Sequence, residues 1–184
     1  MSNKLRIIGG EWRSRHIVFD DVPGLRPTPD RVRETLFNWL QTDVVNSRCL
    51  DLFAGSGALS FEAASRGAKS VVQVESNHSA CQKLRQNTEL LAAKQVQLIV
   101  SDALRFLQQT PQCFDLVFID PPFRQNLIPV TCQQLEQGGW LANYAKIYIE
   151  AERNVELSDL PANWDLLKKK SAGQVDFYLF QVIK

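Results

Sequence analysis

A segment that can do chemistry lies in FDLVFIDPPF, residues 114–123. Its apolar run predicts a strand buried on both faces, and this strand ends at Asp120, Pro121, Pro122 and Phe123. The Asp120 carboxylate and the Pro121 carbonyl oxygen can accept hydrogen bonds from an amine, while two prolines remove competing N–H donors and stiffen the turn. Phe123 offers a face on which a planar base can stack. The segment is suited to orienting a base amine towards an electrophile, although Asp-Pro-Pro can also simply end a strand.

A glycine turn forms a second candidate site. In CLDLFAGSGALSFEAA a predicted strand opens into Gly55, Ser56 and Gly57 before a helix, an arrangement that lets the backbone approach a ligand. Glu75 ends the next strand 20 residues after Gly55, where nucleotide-binding sheets place the acid that holds ribose hydroxyls. A glycine turn is also an ordinary strand-to-helix connection, so the turn alone does not establish a ligand site.

Four carboxylates, Asp51, Glu75, Asp102 and Asp120, lie in or after predicted strands and should converge at the carboxyl edge of a parallel sheet. No lysine follows the glycine turn as a P-loop requires, and Ser60 replaces the third glycine of a dinucleotide fingerprint. A nucleoside ligand with positive charge suits the carboxylates better. S-adenosylmethionine, with a sulfonium and an ammonium, has that character. For Asp102 the alternative is a helix cap.

The elements that position these residues alternate between strand and helix patterns from about residue 48 onward. A helix capped by Asn77 predicts crossover connections and a parallel, doubly wound α/β sheet. Its apolar positions are Ala80, Cys81, Leu84 and Leu91. The predicted strands are residues 49–53, 70–75, 96–100, 114–120 and 146–151.

Both ends of the chain depart from this alternation. WDLLKKK and VDFYLFQVI, joined by residues 171–174, predict a closing hairpin whose last strand lies inside the sheet, because residues 177–183 are apolar on both faces apart from Gln181. Before the sheet, LRIIGGEWRSRHIVF has extended segments around a glycine pair, and RPTPDRVRETLFNWL predicts a helix capped by Thr28 with Pro29 in its first turn. The predicted buried stripe of that helix is Val32, Leu36, Trp39 and Leu40.

Composition limits the remaining function classes. The chain has 184 residues, 45% of them apolar, which predicts one domain with a small appendage. A net charge of +1 excludes an overall positive field, so a nucleic-acid surface must be local. No apolar run reaches the roughly 18 residues of a membrane span, and we expect a soluble, cytoplasmic protein. The separated cysteines and histidines predict no metal site; they are Cys49, Cys81, Cys113, Cys132, His16 and His78.

Together, the two chemical segments resemble the amino-group class of S-adenosylmethionine-dependent methyltransferases, whose Asp/Asn/Ser-Pro-Pro-aromatic motif modifies base amines or glutamine amides. Over essentially the whole chain the sequence resembles the bacterial RsmD family, which methylates N2 of one guanine in small-subunit (16S) ribosomal RNA. The resemblance is carried by RIIGGEWRSR, GLRPTPDRVRETLFNWL, CLDLFAGSGAL, VFIDPPF, residues 139–141 and AGQV. The N-terminal block is the specific part, because the DPPF motif does not choose among substrates.

The resemblance implies a Rossmann-like class I methyltransferase fold: a mostly parallel sheet of seven strands with an antiparallel last strand, preceded by a small β-hairpin and a helix. It implies an RNA-binding hairpin arm over residues 1–25 and a methyltransferase domain over residues 26–184. The implied cofactor is S-adenosylmethionine. The implied partner is ribosomal RNA within an assembling 30S particle, with the target guanine unpaired or flipped; no obligate protein partner or membrane partner is evident.

The same resemblance implies roles for single residues. Asp51 arranges the glycine turn or the cofactor ammonium, Glu75 holds the ribose, and Asp102 contacts the adenine amine. The implied cofactor-binding set is Asp51, Phe53, Gly55, Ser56, Gly57, Glu75, Asp102 and Ala103. The implied catalytic set, which binds and orients the guanine, is Asp120, Pro121, Pro122 and Phe123.

A basic cluster gives an independent indication of RNA contact. Residues 1–19 contain four Lys and Arg side chains against Glu11 alone, with an interleaved tryptophan that could stack on a base. A solvated basic face is the alternative, and Arg31 and Arg33 could instead brace the cofactor turn. The predicted RNA-binding set is Trp12, Arg13, Arg15, Arg26, Arg31 and Arg33.

Three other functions remain open on the sequence. A methyltransferase of the same class could act on another RNA, on DNA or on a protein glutamine, although no sizeable target-recognition region for DNA is present. A nicotinamide oxidoreductase would share only the fold and Glu75. An RNA-binding module without enzymatic activity would leave the converging acids unexplained.

Overall fold

The computed structural model describes residues 2–21 and 27–183. Within them a two-stranded hairpin precedes a seven-stranded sheet that carries helices on both faces. The hairpin consists of β1 (Ser2–Arg6) and β2 (His16–Asp20). The sheet and its helices are, in chain order, α1 (Asp30–Trp39), β3 (Arg48–Asp51), α2 (Ala58–Ser65), β4 (Ser70–Glu75), α3 (His78–Leu91), β5 (Val96–Val100), α4 (Ala103–Phe106), β6 (Phe114–Ile119), α5 (Leu127–Gln137), β7 (Leu141–Glu152), β8 (Trp164–Ala172) and β9 (Val175–Val182).

The strand order of the sheet is β5-β4-β3-β6-β7-β9-β8. Pairing from β5 through β7 is parallel, and β9 is antiparallel to both β7 and β8. The predicted class I methyltransferase fold is thus confirmed, including a last strand inserted between two others. The order in which the chain adds strands reverses between β3 and β6, and ligands bind at such a switch point in open α/β sheets.

Apolar runs in the central strands explain why the sheet is covered on both faces. Leu116 and Phe118 of β6 pack into a core with the hairpin, α1, α2 and α3, whereas Val117 and Ile119 pack into a second core with α4 and α5. Because alternate side chains of a strand point to opposite faces, a fully apolar strand needs two such cores. The carboxyl ends of the strands remain as the edge at which polar groups can gather.

Most predicted element bounds hold within a few residues. β4 and β5 have the predicted bounds, whereas β3 ends at Asp51, so Phe53 belongs to the turn. β7 begins five residues earlier than the predicted 146. Asn77 caps α3 as predicted, its side chain accepting a hydrogen bond from the Ala80 N–H at 3.0 Å. No helix in the two described ranges is long and apolar enough to cross a membrane.

The prediction that Thr28 caps α1 was wrong. The N-cap position is Pro29, without a side-chain hydrogen bond, and the helix starts at Asp30, whose negative charge favours a helix N-terminus. The Thr28 hydroxyl instead contacts the carboxyl groups of Asp120, which follows β6, and of Glu150 on β7. On the predicted buried stripe of α1 three positions are buried, while Trp39 is half-buried and stacks on Phe177 with ring centroids 5.3 Å apart.

The hairpin is fastened to α2 by hydrogen bonds. The N–H groups of Ile8 and Gly9 donate to the Glu62 carboxylate at 2.9 and 2.8 Å, and the Ser65 hydroxyl donates to the Gly9 carbonyl at 2.6 Å. Gly10 has φ of 78°, and a Cβ there would lie 1.9 Å from the Ser65 carbonyl oxygen. The glycine pair that the sequence marked as a turn therefore allows the hairpin loop to approach the helix closely.

Burial contradicts two members of the predicted RNA-binding set. Trp12 is 5% exposed and lies in the core shared by the hairpin and α2, and its backbone N–H donates to the Ser65 hydroxyl. Arg33 is fully buried. An indole ring packed inside a core presents no face to a base, and a buried guanidinium does not reach an RNA phosphate. A tryptophan between arginines resembles a stacking platform in sequence, but here it fastens the hairpin.

Arg33 forms the centre of a buried ion cluster. Its guanidinium contacts Glu62 at 3.2 Å and Asp30 at 2.6 Å, and it also donates to the carbonyl oxygens of Arg6 and Thr28. Glu62 is fully buried and accepts a further hydrogen bond from Arg66 at 2.8 Å. The cluster links the hairpin, α1 and the helix that follows the glycine turn, which supports the alternative prediction that Arg33 braces that turn.

Arg33→Met should lower the free energy of unfolding by about 3 kcal/mol, because it leaves the Glu62 carboxylate buried with one cation fewer. The matched control is Arg48→Met. Arg48 forms a bidentate pair with Asp115 whose side chains are 44% and 37% exposed, so its loss should cost at most about 1 kcal/mol. Urea denaturation of both variants tests this, and equal losses would contradict the structural role of the cluster.

Candidate active site at the carboxyl edge of the sheet

The predicted acids do meet at the carboxyl edge of the central strands. Asp51 ends β3, Glu75 ends β4, and Asp120 follows β6, and these three strands are neighbours in the sheet. Alternate residues of a strand point to the same face, and the three acids alternate with residues of their strands that pack against α1, α2 and α3. Their side chains therefore point to the face that these helices cover. The edge is therefore acidic at the switch point where a ligand is expected.

The glycine turn is shaped by its backbone and fastened to Glu75. Gly57 has φ of 80°, and a Cβ there would lie 2.5 Å from the ring of Phe61. The Gly55 N–H donates to Glu75 Oε2 at 2.8 Å, while Ser76 and Asn77 donate to Oε1 at 2.9 and 2.7 Å. A carboxylate has about four acceptor positions, so Glu75 retains capacity for ribose hydroxyls while it holds the turn.

Asp102 performs the alternative role that the sequence left open. Its Oδ1 accepts hydrogen bonds from the N–H groups of Leu104 and Arg105 at 2.9 and 3.1 Å, which caps α4. The residue is exposed, and capping uses one carboxylate oxygen. The second oxygen can still accept an adenine amine, so capping and cofactor contact are compatible. Ala103, the other predicted contact here, is buried in the adjoining core.

Asp51 is the most deeply buried acid of the predicted cofactor set, with 2% of its surface exposed. Its pKa is raised to about 7, chiefly by burial and also by the nearby charge of Glu75, while hydrogen bonds from Ser60 oppose the shift. A buried carboxylate without a cation is costly. A cationic ligand group at this position would lower that cost, which fits the ammonium or sulfonium of the predicted cofactor.

The Asp-Pro-Pro-Phe segment forms the other half of the site. Asp120 is partly exposed, Pro121 is buried, and Phe123 is 43% exposed, so the ring is available to a base. A cavity of about 240 Å³ lies beside the segment, lined by Pro121, Pro122, Phe123 and the end of β7. Burial raises the pKa of Asp120 well above its usual range, reinforced by the charges of Glu150 and Asp51.

Three residues near Asp120 were missed by the sequence analysis. The Thr28 hydroxyl lies 3.5 Å from Asp120 Oδ2 and 3.3 Å from Glu150 Oε2, and the Tyr148 hydroxyl donates to Glu150 Oε2 at 2.9 Å. Glu150 lay inside the fifth predicted strand but was not grouped with the strand-end acids. Its position near the end of that strand was the signal that could have identified it.

The remaining RNA-binding candidates lie at the surface or outside the described ranges. Arg13 and Arg15 in the hairpin loop and Arg31 in α1 are exposed. Arg15 also donates to the Leu90 carbonyl oxygen at 2.6 Å. Arg26 lies outside the described residues. Lys4 and Arg6 on β1 are exposed and add to the positive charge of the hairpin.

Comparison with known proteins gives matches over nearly the whole length. The family described as Conserved hypothetical protein 95 matches residues 5–181. The Escherichia coli (strain K12) protein named Ribosomal RNA small subunit methyltransferase D is 48% identical, over 98% of this chain and 91% of its own length. The Haemophilus influenzae protein of the same name is 45% identical, over 97% of this chain and 94% of its own length.

Solved structures agree with the fold. A structure from Escherichia coli, yhhF, which carries a provisional name as a methyltransferase, has a TM-score of 0.92 and 44% identity and covers 99% of both chains. Protein TTHA0928 of Thermus thermophilus has a TM-score of 0.83 at 26% identity, over 97% of this chain and 99% of its own. TrmN from Thermus thermophilus, at 18% identity and a TM-score of 0.69 over 83% of this chain and 48% of its own, supports the fold alone.

Asp51→Asn should remove a pH dependence of stability. Because the folded-state pKa of Asp51 is raised to about 7 from its ordinary value of 3.8, the folded protein holds a proton that the unfolded chain has lost between these values, and stability falls as pH rises. From pH 4 to pH 7 the free energy of unfolding of the wild type should fall by up to about 4 kcal/mol relative to that of the variant.

Urea denaturation across pH measures this difference, with Asp115→Asn as the control. The pKa of Asp115 is lowered, chiefly by its hydrogen bonds from Arg48. The stabilisation that Asp115 gives the folded protein is therefore present at neutral pH and is lost as pH falls, which is opposite to the behaviour of Asp51. Parallel stability curves for the wild type and Asp51→Asn would contradict the uncompensated burial of Asp51.

Proposed function

We propose that this chain transfers a methyl group from S-adenosylmethionine to N2 of a specific guanine in 16S ribosomal RNA. The premise is that the chain belongs to the Conserved hypothetical protein 95 family and is similar over nearly its whole length to small-subunit ribosomal RNA methyltransferases. The observation that carries the proposal is the meeting of the acidic, glycine-lined edge with Asp120 and its exposed neighbour Phe123. In this proposal the acidic edge holds a cationic nucleoside. The Asp-Pro-Pro-Phe segment presents hydrogen-bond acceptors and an aromatic ring to a base.

The residues of the edge fit the proposed cofactor. The Glu75 carboxylate is held by three backbone N–H groups in an orientation that leaves acceptor capacity for the ribose, and Asp102 can accept the adenine amine. Asp51 supplies buried negative charge beside the glycine turn. When bound, S-adenosylmethionine supplies an electrophilic methyl group on a positively charged sulfur.

Orientation of the guanine amine is the central task of the protein in this proposal. The lone pair of N2 is delocalised into the ring, so the amine attacks only when its hydrogens are held by acceptors and its nitrogen faces the methyl group. Asp120 supplies a carboxylate and Pro121 a carbonyl oxygen, and Phe123 offers a stacking face. The rate then comes from positioning and electrostatics rather than from a strong base.

In the same proposal the hairpin binds the RNA. Its exposed cations can contact phosphates, while its fastening to α2 through Glu62 and Ser65 keeps them at a fixed distance from the glycine turn. The target guanine must be unpaired or flipped to reach Asp120. We infer that ribosomal RNA shaped by proteins in an assembling 30S particle is the substrate.

Asp120→Ala should reduce methyl transfer at least about 100-fold while cofactor binding is largely retained, because the change removes an acceptor of the amine and not a cofactor contact. Asp115→Ala, at the opposite end of β6, should keep full activity. The assay follows labelled methyl groups into unmodified small-subunit RNA, free and protein-bound, with duplex DNA alongside, and identifies the nucleoside.

Label in N2-methylguanosine at one site supports the substrate, whereas label in another nucleoside would overturn the guanine assignment. Label only in the protein-bound RNA supports the assembling particle, and equal label in free RNA would remove that part of the proposal. Full activity of Asp120→Ala would contradict the role of Asp120.

Charge reversal at Arg13 and Arg15 should weaken RNA binding and make it less dependent on salt, because fewer phosphate contacts release fewer counterions. The slope of log affinity against log salt should fall by about one for each lost contact. The control reverses Lys168 and Lys170, which are exposed on β8. If both double variants bind RNA equally at each salt concentration, the hairpin is not the RNA-binding surface.

A further inference from the structure

The hydroxyl of Thr28 lies between two carboxyl groups of neighbouring strands. Its oxygen is 3.3 Å from Glu150 Oε2 and 3.5 Å from Asp120 Oδ2. Thr28 and Glu150 are 3% and 5% exposed, so bulk water does not separate these groups. Tyr148 donates its hydroxyl hydrogen to the same Glu150 oxygen at 2.9 Å. These four side chains thus form a continuous polar network that includes Asp120, the first residue of the Asp-Pro-Pro-Phe segment.

Both contacts of the Thr28 hydroxyl can be hydrogen bonds only if one of the two carboxyl groups carries a proton. A threonine hydroxyl carries one hydrogen and can donate to only one of its two neighbours. The contact with the other carboxyl group is a hydrogen bond only when that group is protonated and donates to the hydroxyl oxygen. If both were ionised, the two neighbouring carboxylates would repel each other, with Asp51 of β3 as a third negative group nearby.

The proton belongs on Glu150 when a substrate amine is present. Glu150 is 5% exposed near the end of β7, whereas Asp120 is partly exposed and is, in the proposed function, the acid that the amine and the cationic cofactor approach. An amine donor and a positive charge both favour the ionised form of the carboxyl group that they face. The groups facing Asp120 are Thr28 from the segment before α1, Asp51 from β3, and Tyr148 and Glu150 from β7.

We propose that Asp120 and Glu150 share one proton across the Thr28 hydroxyl, that this proton lies on Glu150 when the acceptor amine binds, and that Thr28 and Glu150 are positioning residues for methyl transfer. The inference rests on the proposed function. With Glu150 protonated, its O–H donates to the Thr28 oxygen and the Thr28 hydroxyl donates to Asp120, which fixes the carboxylate in the orientation that accepts the amine hydrogens.

The arrangement also accounts for the proton that the reaction releases. The bond between N2 and the methyl carbon forms as the sulfur–carbon bond breaks, and the electron pair of the broken bond stays on sulfur. N2 then loses one proton to the Asp120 carboxylate. The pair now holds two protons and no charge, and one proton leaves to water through the partly exposed Asp120, which restores the singly protonated pair.

A shared proton predicts that activity falls on both sides of a pH optimum. On the acid side Asp120 becomes protonated and loses an acceptor for the amine. On the alkaline side Glu150 loses its proton, and the single Thr28 hydrogen can satisfy only one of two carboxylates. Burial raises the pKa of both Asp120 and Glu150, and the repulsion between them spreads the two steps apart.

The test measures kcat against pH for the wild type, Glu150→Gln, Thr28→Val and Thr28→Ser. Glu150→Gln resembles the protonated acid permanently, so it should keep the activity of the optimum within about threefold and lose the alkaline decline. Thr28→Val should lose about 10- to 100-fold at every pH, and Thr28→Ser, which keeps the hydroxyl, should restore most of it. A merely structural role would not remove one limb of the profile.

Asp176→Asn is the matched control. Asp176 is also 5% exposed and accepts a hydrogen bond from Ser171, but it lies on β9 near the closing turn. Its replacement should leave the pH profile unchanged. Glu150→Gln that folds but is inactive at every pH, or that keeps the wild-type alkaline decline, would overturn the inference.

A second readout needs no RNA and separates this inference from the proposed function. Carboxyl carbon NMR titration should show one group of the Asp120 and Glu150 pair still protonated above the ordinary range of acidic side chains, and Glu150→Gln should remove one of the two titration steps. Ionisation of both groups within that ordinary range would overturn the inference. A wild type that shows the shared proton but methylates no ribosomal RNA would overturn the proposed function instead.

Discussion

Confinement of several carboxylates to one edge of the sheet is the constraint that shapes the site. Parallel strands bring Asp51, Glu75, Asp120 and Glu150 to the same end of β3, β4, β6 and β7. The protein tolerates this charge in three ways. Glu75 is surrounded by backbone donors, Asp51 has a pKa raised to about 7 by burial, and Asp120 and Glu150 are bridged by a hydroxyl. Negative charge gathered at such an edge is costly without a cationic partner, so the edge favours a cationic ligand.

A second interaction connects this edge with the surface of the hairpin. The buried Glu62 carboxylate accepts hydrogen bonds from the hairpin loop, from Arg33 of α1 and from Arg66. Because α2 begins at Ala58, directly after Gly57, the group that holds the hairpin sits on the helix that follows the glycine turn. The proposed RNA-binding and cofactor-binding surfaces therefore share one rigid support, and the hairpin is not an independent arm in its packing.

The two halves of the proposed reaction use acids for different purposes. In the proposal, Glu75, Asp102 and Asp51 are fixed acceptors or buried charge for a cation, whereas Asp120 orients an amine and takes a proton. In the proposal, this difference accounts for the hydroxyl that bridges Asp120 to a second carboxyl group, that of Glu150. A strand-end carboxylate with a single role needs no such partner, and Asp102 is satisfied by two backbone N–H groups.

Local patterns in the sequence were enough to predict the elements, the class of sheet and most of the acidic edge. Apolar runs, the Asn77 cap and the glycine turn are such patterns, because period, capping and backbone freedom act over a few residues. Which polar side chains meet was set by the packing of distant segments. Thr28 and Glu150 are 122 positions apart and Arg33 and Glu62 are 29 apart, so no local pattern marked either contact. The sequence likewise did not show that Trp12 and Arg33 are buried while Arg13 and Arg15 are exposed. The exposure of a residue depends on which distant parts of the chain pack against it.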